Sequence, residues 1–216
     1  MRRTLLAAIL ALAAGCRPDP GLPDYSMMDN LFDGGPESQG LPGPDPYVTG
    51  GHRLALDLFY EGGASLRLSL ADPSRHYYIY SNTYTDVLTS DRIEGLYANL
   101  FTIPSTTPGW WGGGITYDTA VNLSAWTTMH VSLKSQSPGM SDLDIRMATN
   151  LAAQVAVRAT AYGYANDGQW HHLSIPLSRF TGVNLTTVLL PFGFGNPTSV
   201  TVHAGDSLIV DNLYFD

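Results

Sequence analysis

Beyond residue 52 the chain alternates apolar and polar positions with a period of two, the pattern of a strand with one face buried. Leu54, Leu56 and Leu58 alternate with Ala55, Asp57 and Phe59 until Glu61-Gly62-Gly63 breaks the run. Leu66, Leu68 and Leu70 then alternate with Arg67 and Ser69 as far as Asp72-Pro73. Each run predicts a strand followed by a turn. Further strands are predicted over residues 76–81, 92–101, 114–117, 127–134, 143–148, 155–160, 169–175, 187–194 and 207–215. In the stretch 169–175, Trp170, His172 and Ser174 share one face, whereas His171, Leu173 and Ile175 share the other. Asn166-Asp167-Gly168 supplies a reversal before it, and Pro176, which has no ladder donor, places a strand end or a sheet edge after it. Most of these runs are shorter than about ten residues, as strands are, and Gly, Pro, Asn, Asp or Ser separates them. A short helical turn fits around 178–181, but no long 3.6-residue period and no fixed repeat follows Gly51. The expectation is an all-β chain, a single antiparallel β-sandwich over residues 52–216 with jelly-roll topology.

The N-terminal part reads differently. Arg2-Arg3 precedes an apolar run from Leu5 to Ala14 that is too short to span a membrane as a stable helix. Residues 1–16 are therefore an expected export signal. It ends in Leu12-Ala13-Ala14-Gly15-Cys16, which resembles a bacterial lipobox, although Leu12 stands four residues before the cysteine. That resemblance implies cleavage before Cys16, the only cysteine, and its lipidation. A lone thiol in an oxidising compartment otherwise has no partner. Residues 17–51 carry half of the prolines, mixed with Gly and Asp. They read as an extended tether, with too little apolar area to offset ordering.

Charge narrows the class of partner. The chain carries −8, and removing Arg2 and Arg3 with the signal takes it to −10. Such a surface excludes nucleic acid and leaves the lipid anchor as the expected route to a membrane.

Several residues could carry chemistry. Trp110-Trp111, beside Gly112-Gly113-Gly114, offers flat rings for stacking on sugar faces, or else plugs for the end of the sandwich. One buried and one exposed ring is the expectation. Tyr78 and Tyr80 share a strand face that Asn82 continues, which suits either a polar ligand or ordinary sheet packing. Arg92 with Glu94, and the bend holding Tyr162, Tyr164, Asn166 and Asp167, complete a candidate ligand surface. His171-His172 is rejected as a metal pair because neighbouring strand residues point to opposite faces, and His52, His76, His130 and His203 are scattered in sequence.

The order Asn122 to Lys134 with Trp126, then Tyr162-Gly-Tyr164 with Asp167-Gly-Gln-Trp170, Ile175-Pro-Leu-Ser178 and Leu208 to Phe215, resembles the galactose-binding-like jelly rolls. Carbohydrate-binding modules and the non-catalytic C-terminal domain of exo-β-glucosidases share that plan. The resemblance implies a calcium ion between an early acidic residue and one near the last strand, here Glu61 and Asp211. It also implies a carbohydrate ligand, for which the residues singled out above, Tyr80, Asn82, Arg92, Trp110, Trp111, Tyr162, Tyr164 and Asp167, are the candidate contacts.

The expected role is thus a non-catalytic, lipid-anchored module of the bacterial envelope, the outer membrane by preference, that binds a poly- or oligosaccharide. An envelope protein is the alternative partner, since aromatic patches serve protein interfaces equally well. A glycoside hydrolase or lyase is the minority reading. Hydrolysis needs two placed carboxylates, yet the glutamates are Glu37, Glu61 and Glu94 alone, and the one clustered acidic pair is Asp142-Leu-Asp144.

Overall fold

The computed structural model describes residues 52–62, 64–104 and 109–216; the signal, Cys16 and the 17–51 tether lie outside them. Two sheets pack face to face. The first runs β10 (His171–Pro176), β7 (Thr128–Lys134), β12 (Ser207–Phe215), β1 (Leu54–Leu56) and β2 (Leu66–Leu68). It is extended by β5 (Ala98–Thr102) and β4 (Thr85–Thr89), with β5 also paired to β12. The second runs β3 (Arg75–Ile79), β6 (Gly112–Tyr117), β11 (Leu190–Gly195), β8 (Asp144–Ala148) and β9 (Val155–Arg158). Among the described residues the remaining regular structure is short 3-10 turns, one of them Leu177–Arg179 where a helical turn is expected. None is long and apolar enough to cross a membrane.

Alternation builds the core. From β7 come Met129, Val131 and Leu133, from β10 Leu173 and Ile175, and from β12 Leu208 and Val210, all at most 1% exposed. Facing them are Ile115, Ile145, Met147, Phe192 and Phe194 of the second sheet. Aromatic packing ties the layers together, with Phe101 of β5 stacked on Phe194 of β11 at 4.9 Å and 7°. Each such side chain removed from water contributes about 1.5–3 kcal/mol, enough for a disulfide-free sandwich.

Three expectations change. The ladders are antiparallel except β1 with β2, which is parallel, Leu54 opposite Leu66 and Leu56 opposite Leu68. The stretch predicted as one strand over 92–101 is a loop up to Tyr97, and β5 begins at Ala98. Its partner β4 was not predicted, because Val87 and Leu88 form too brief an apolar run between threonines to register as a strand.

β12 gives the first sheet its branched form. Its Ser207–Val210 end pairs with β5 and its Tyr214–Phe215 end with β1. Between them the ladder to β7 shifts register from Asp211 to Tyr214, and Asn212 takes φ +63. This β-bulge turns Asp211 and Asn212 inward and leaves a gap between β5 and β1 that the loops around Glu61 and Glu94 fill.

Candidate functional site

A cleft of about 440 Å³ lies on the outer face of the second sheet and is lined by Tyr78, Tyr80, Trp110, Gly113, Arg146, Gln154 and Phe194. Its floor is mostly backbone. Gly112 pairs with Gly195 and Gly114 with Gly193 across β6 and β11, so two cross-strand rows present no side chain. Sterics require this. A Cβ on Gly112 would lie 2.5 Å from the Phe194 carbonyl oxygen, and one on Gly114 2.5 Å from that of Phe192. Glycine lets the strands approach closely and leaves the sheet bare on the outside. Gly193 is more permissive, since its Cβ would meet the Leu190 side chain at 3.1 Å and Arg146 Cβ at 3.4 Å.

Aromatic rings wall one side of this strip. Tyr78 stands opposite Gly114 in the β3–β6 register. Tyr80 follows in a 3-10 turn whose next residues, Ser81 and Asn82, take φ +47 and +53. Those left-handed positions end β3 abruptly and leave Tyr80 54% exposed. Trp110 meets Tyr80 edge to face at 4.7 Å and lies over Gly112. Its neighbour Trp111 points the other way, fully buried against Tyr84 and Phe194. Asn196 Oδ1 accepts the Trp111 amide at 2.9 Å and fixes the alternation, so one tryptophan packs the core and the other faces the groove.

Planar polar groups form the opposite wall. Arg146 stands opposite Gly193, 3.1 Å from Asp144 and with its guanidinium 5.4 Å from the Trp110 ring centroid. Arg158 continues the strip by contacting both Asp144 and Asp142, at 3.3 and 3.2 Å. The Tyr78 phenol, hydrogen-bonded to Gln154, has its ionisation pushed up by burial and stays a neutral donor. A bare floor, exposed aromatic rings and pre-oriented guanidinium and amide groups suit a flat ligand rich in hydroxyls.

The other residues expected to meet a ligand are placed elsewhere. Trp111 and Tyr164 are corrections, since both are core residues. Tyr164 is 3% exposed and donates its hydroxyl to the Met140 carbonyl at 2.7 Å, after Gly163 turns the chain at φ +94. Tyr162 packs against the same core. Arg92 is spent on its own loop, donating to the carbonyls of Gly95 and Ser90. Asp167 is exposed and contacts His171 Nε2 at 2.8 Å, which holds its carboxyl below the usual range. Asn82 is exposed beside Tyr80, where its backbone shapes the turn. Arg146 and Gln154 escaped sequence reasoning. Asp144-Ile-Arg146 does alternate, and with Ile145 inward both charged residues had to face out.

Glu61 and Asp211 are brought together, and neither is on the surface. Asp211 Oδ2 accepts the amides of Ile93 at 2.7 Å and Glu94 at 3.3 Å, and Oδ1 that of Asn212. Glu61 Oε2 accepts the Leu96 amide, and the Glu61 amide donates to buried Glu94 at 2.6 Å. Burial, opposed by these amide bonds and reinforced by the charge of Glu61, pushes Asp211 up to about 7. Burial also raises Glu61, whose Oε1 has no hydrogen-bond partner. Neighbouring buried carboxylates with an orphaned oxygen fit a hard cation in donor type. Among the described residues no three His, Cys, Asp or Glu side chains converge, so two carboxylates would need backbone oxygens to complete the shell.

The family comparison is decisive: the description "Carbohydrate binding domain 30" matches residues 57–214, well over half the chain. The chain belongs to carbohydrate-binding domain family 30. It is thus a carbohydrate-binding β-sandwich, in agreement with the resemblance to such modules. No curated protein matches it. Among solved structures it is similar to the family 11 carbohydrate-binding module of the cellulosomal cellulase Lic26A-Cel5E of Clostridium thermocellum. The TM-score there is 0.47 at 13% identity, over 66% of this chain and 86% of that one. A family 11 module from the same organism, in complex with a β-1,3-1,4-mixed-linked tetrasaccharide, gives 0.45 at 14% identity, over 68% and 92%. An exo-β-agarase gives 0.49 at 8%, over 67% of this chain and 23% of that one.

Proposed function

We propose that this domain binds a poly- or oligosaccharide in the glycine-floored groove of its second sheet, without catalysing a reaction on it. Tyr80 and Trp110 stack on sugar faces, while Arg146, Gln154 and Tyr78 take hydroxyls. The observation that carries this reading is the pairing of Gly112 with Gly195 and Gly114 with Gly193 beside an exposed Tyr80 and a half-buried Trp110 in edge-to-face contact. Among the described residues the groove lining carries no carboxylate. The acidic pair Asp142 and Asp144 is held in ion pairs with Arg146 and Arg158, whereas glycoside hydrolysis needs two carboxylates at the scissile bond.

The same proposal has the module exported and anchored to the bacterial cell envelope, the outer membrane by preference, through a lipid on Cys16, with residues 17–51 as tether. It also assigns a structural calcium ion to Glu61 and Asp211, which would neutralise their mutual repulsion and fasten the loops between β5 and β1. Isothermal titration with a panel of soluble β- and α-glucans, galactans and xylans tests the groove. The expected result is binding to at least one glycan that Trp110→Ala weakens about tenfold or more. Binding unchanged in Trp110→Ala and in Tyr80→Ala would remove the groove from the account.

A further inference from the structure

The other outer face holds an arrangement that takes no part in the proposed carbohydrate groove. In the β7–β10 ladder His130 stands opposite Ser174 and His172 opposite Ser132. The diagonal between these pairs brings the imidazoles together, centroids 5.2 Å apart and planes 22° from parallel. His130 Nδ1 lies 3.1 Å from His172 Nε2 and 3.2 Å from Ser174 Oγ. We propose that these three atoms form a binding site for one late divalent transition-metal ion, Zn2+, Cu2+ or Ni2+.

The groups behind the rings support this assignment. Asp216 Oδ2 sits 3.2 Å from His130 Nε2, off the line of a good hydrogen bond but close enough to favour the proton on that nitrogen. His130 Nδ1 then keeps its lone pair, directed at His172 and Ser174. The far nitrogen of His172, Nδ1, lies 3.0 Å from Ser132 Oγ, which can accept its proton and free the Nε2 lone pair. Without a metal, a proton on His172 Nε2 makes this contact an N–H···N hydrogen bond to His130 Nδ1; an incoming ion takes its place as that proton moves to Nδ1, facing Ser132 Oγ. Two nitrogens each about 2.0–2.1 Å from a tetrahedral zinc ion are separated by a little over 3 Å, close to the separation found. Asp216 thus places a negative charge behind the ring, on the side away from the proposed ion.

The platform is rigid and open to solvent on one side. Tyr214, 2% exposed, stacks on His130 at 4.6 Å and 10°. The His130 side chain keeps 12% exposure, and Ser174 is exposed. With no third His, Cys, Asp or Glu converging among the described residues, water completes the shell. A bound ion would clip β10, at the end of the sheet, to β7.

Zinc chloride titrated at neutral pH into the untagged full chain, with calcium in excess to saturate hard-cation sites, tests this directly. The expected result is a binding event that His172→Gln weakens about tenfold or more and Trp110→Ala leaves unchanged. Nitrogen-15 spectra of the wild-type imidazoles provide a second readout that needs no variant: His130 Nδ1 and His172 Nε2 shift together on zinc addition. Unshifted nitrogens, or equal zinc affinity in wild type and His172→Gln, would overturn the proposal.

Discussion

The two outer faces of this sandwich are built from the same kind of alternating strand, yet they end in opposite surfaces. On the second sheet four neighbouring outward positions of β6 and β11, Gly112, Gly114, Gly193 and Gly195, are glycines, and the face is hollow there. On the first sheet the outward positions are occupied. Tyr214 and Tyr60 pack at 5.2 Å, the Arg53 guanidinium lies over both rings, and His130 and His172 extend the layer. A groove therefore comes from withholding side chains along two neighbouring strands, with aromatic rings supplied only at the margin. Where side chains are present, the outer face becomes a packed polar platform that positions individual atoms.

The sharpest way to break the comparison is through the adjacent tryptophans. Trp111→Ala empties a fully buried site among Tyr84 and Phe194 and is expected to cost about 3–5 kcal/mol, seen in chemical denaturation. Trp110→Ala is expected to cost under about 1.5 kcal/mol while abolishing most glycan affinity. Equal stability losses in the two variants would contradict the assignment of one ring to each side.

The glycine floor is tested next. Gly114→Val forces a side chain against the Phe192 carbonyl and is expected to lower stability by about 1–3 kcal/mol. Gly193→Ala meets only side-chain atoms, so its stability should nearly match wild type while glycan binding weakens, because the floor rises. Isothermal titration alongside thermal melts separates the two effects.

Calcium gives an effect confined to the bulge of β12. Calcium addition is expected to raise the melting temperature, chelator to lower it, and Glu61→Gln to remove the difference. Identical melts of the wild type in calcium and in chelator would remove the ion from this site.

The smallest effect is one of pH. Asp86, buried between Asn99 Nδ2 and the Tyr77 hydroxyl, is pushed up to about 6 by desolvation. A carboxyl raised in the folded state favours folding fully below its usual value near 3.8, and that contribution is lost as pH rises through about 6. Stability should thus fall by on the order of 1–3 kcal/mol between pH 4 and 7 on this account. Asp211 acts with the same sign, so the check is the difference between wild type and Asp86→Asn, whose curve should be flatter.

Much of the fold was legible because a half-buried strand writes its period into the sequence. Ser207–Phe215 and Thr128–Lys134 were read almost to the residue, since Met129, Val131 and Leu133 alternate with polar neighbours and 207–215 is a β-branched and aromatic run bounded by Ser207. What depends on register was not legible. Nothing local says that Gly112 meets Gly195, or that His172 meets His130 rather than its neighbour His171. Nor does composition show that Tyr164 is inside, because that follows from a left-handed glycine and a distant carbonyl. Tyr80 and Trp110 stand out in the sequence by residue type, whereas Arg146 and Gln154 come beside them only through the sheet order.

The claim at the centre of this account is that the hollow face, and not the filled one, receives carbohydrate. Backbone amide mapping by nuclear magnetic resonance, with the best glycan from the panel, tests it in one experiment. The account predicts that amides of residues 110–114, 146 and 193–195 shift together with Tyr80 while those of β7 and β10 stay in place. Shifts centred on His130, His172 and Tyr214, with residues 110–114 unmoved, would contradict it.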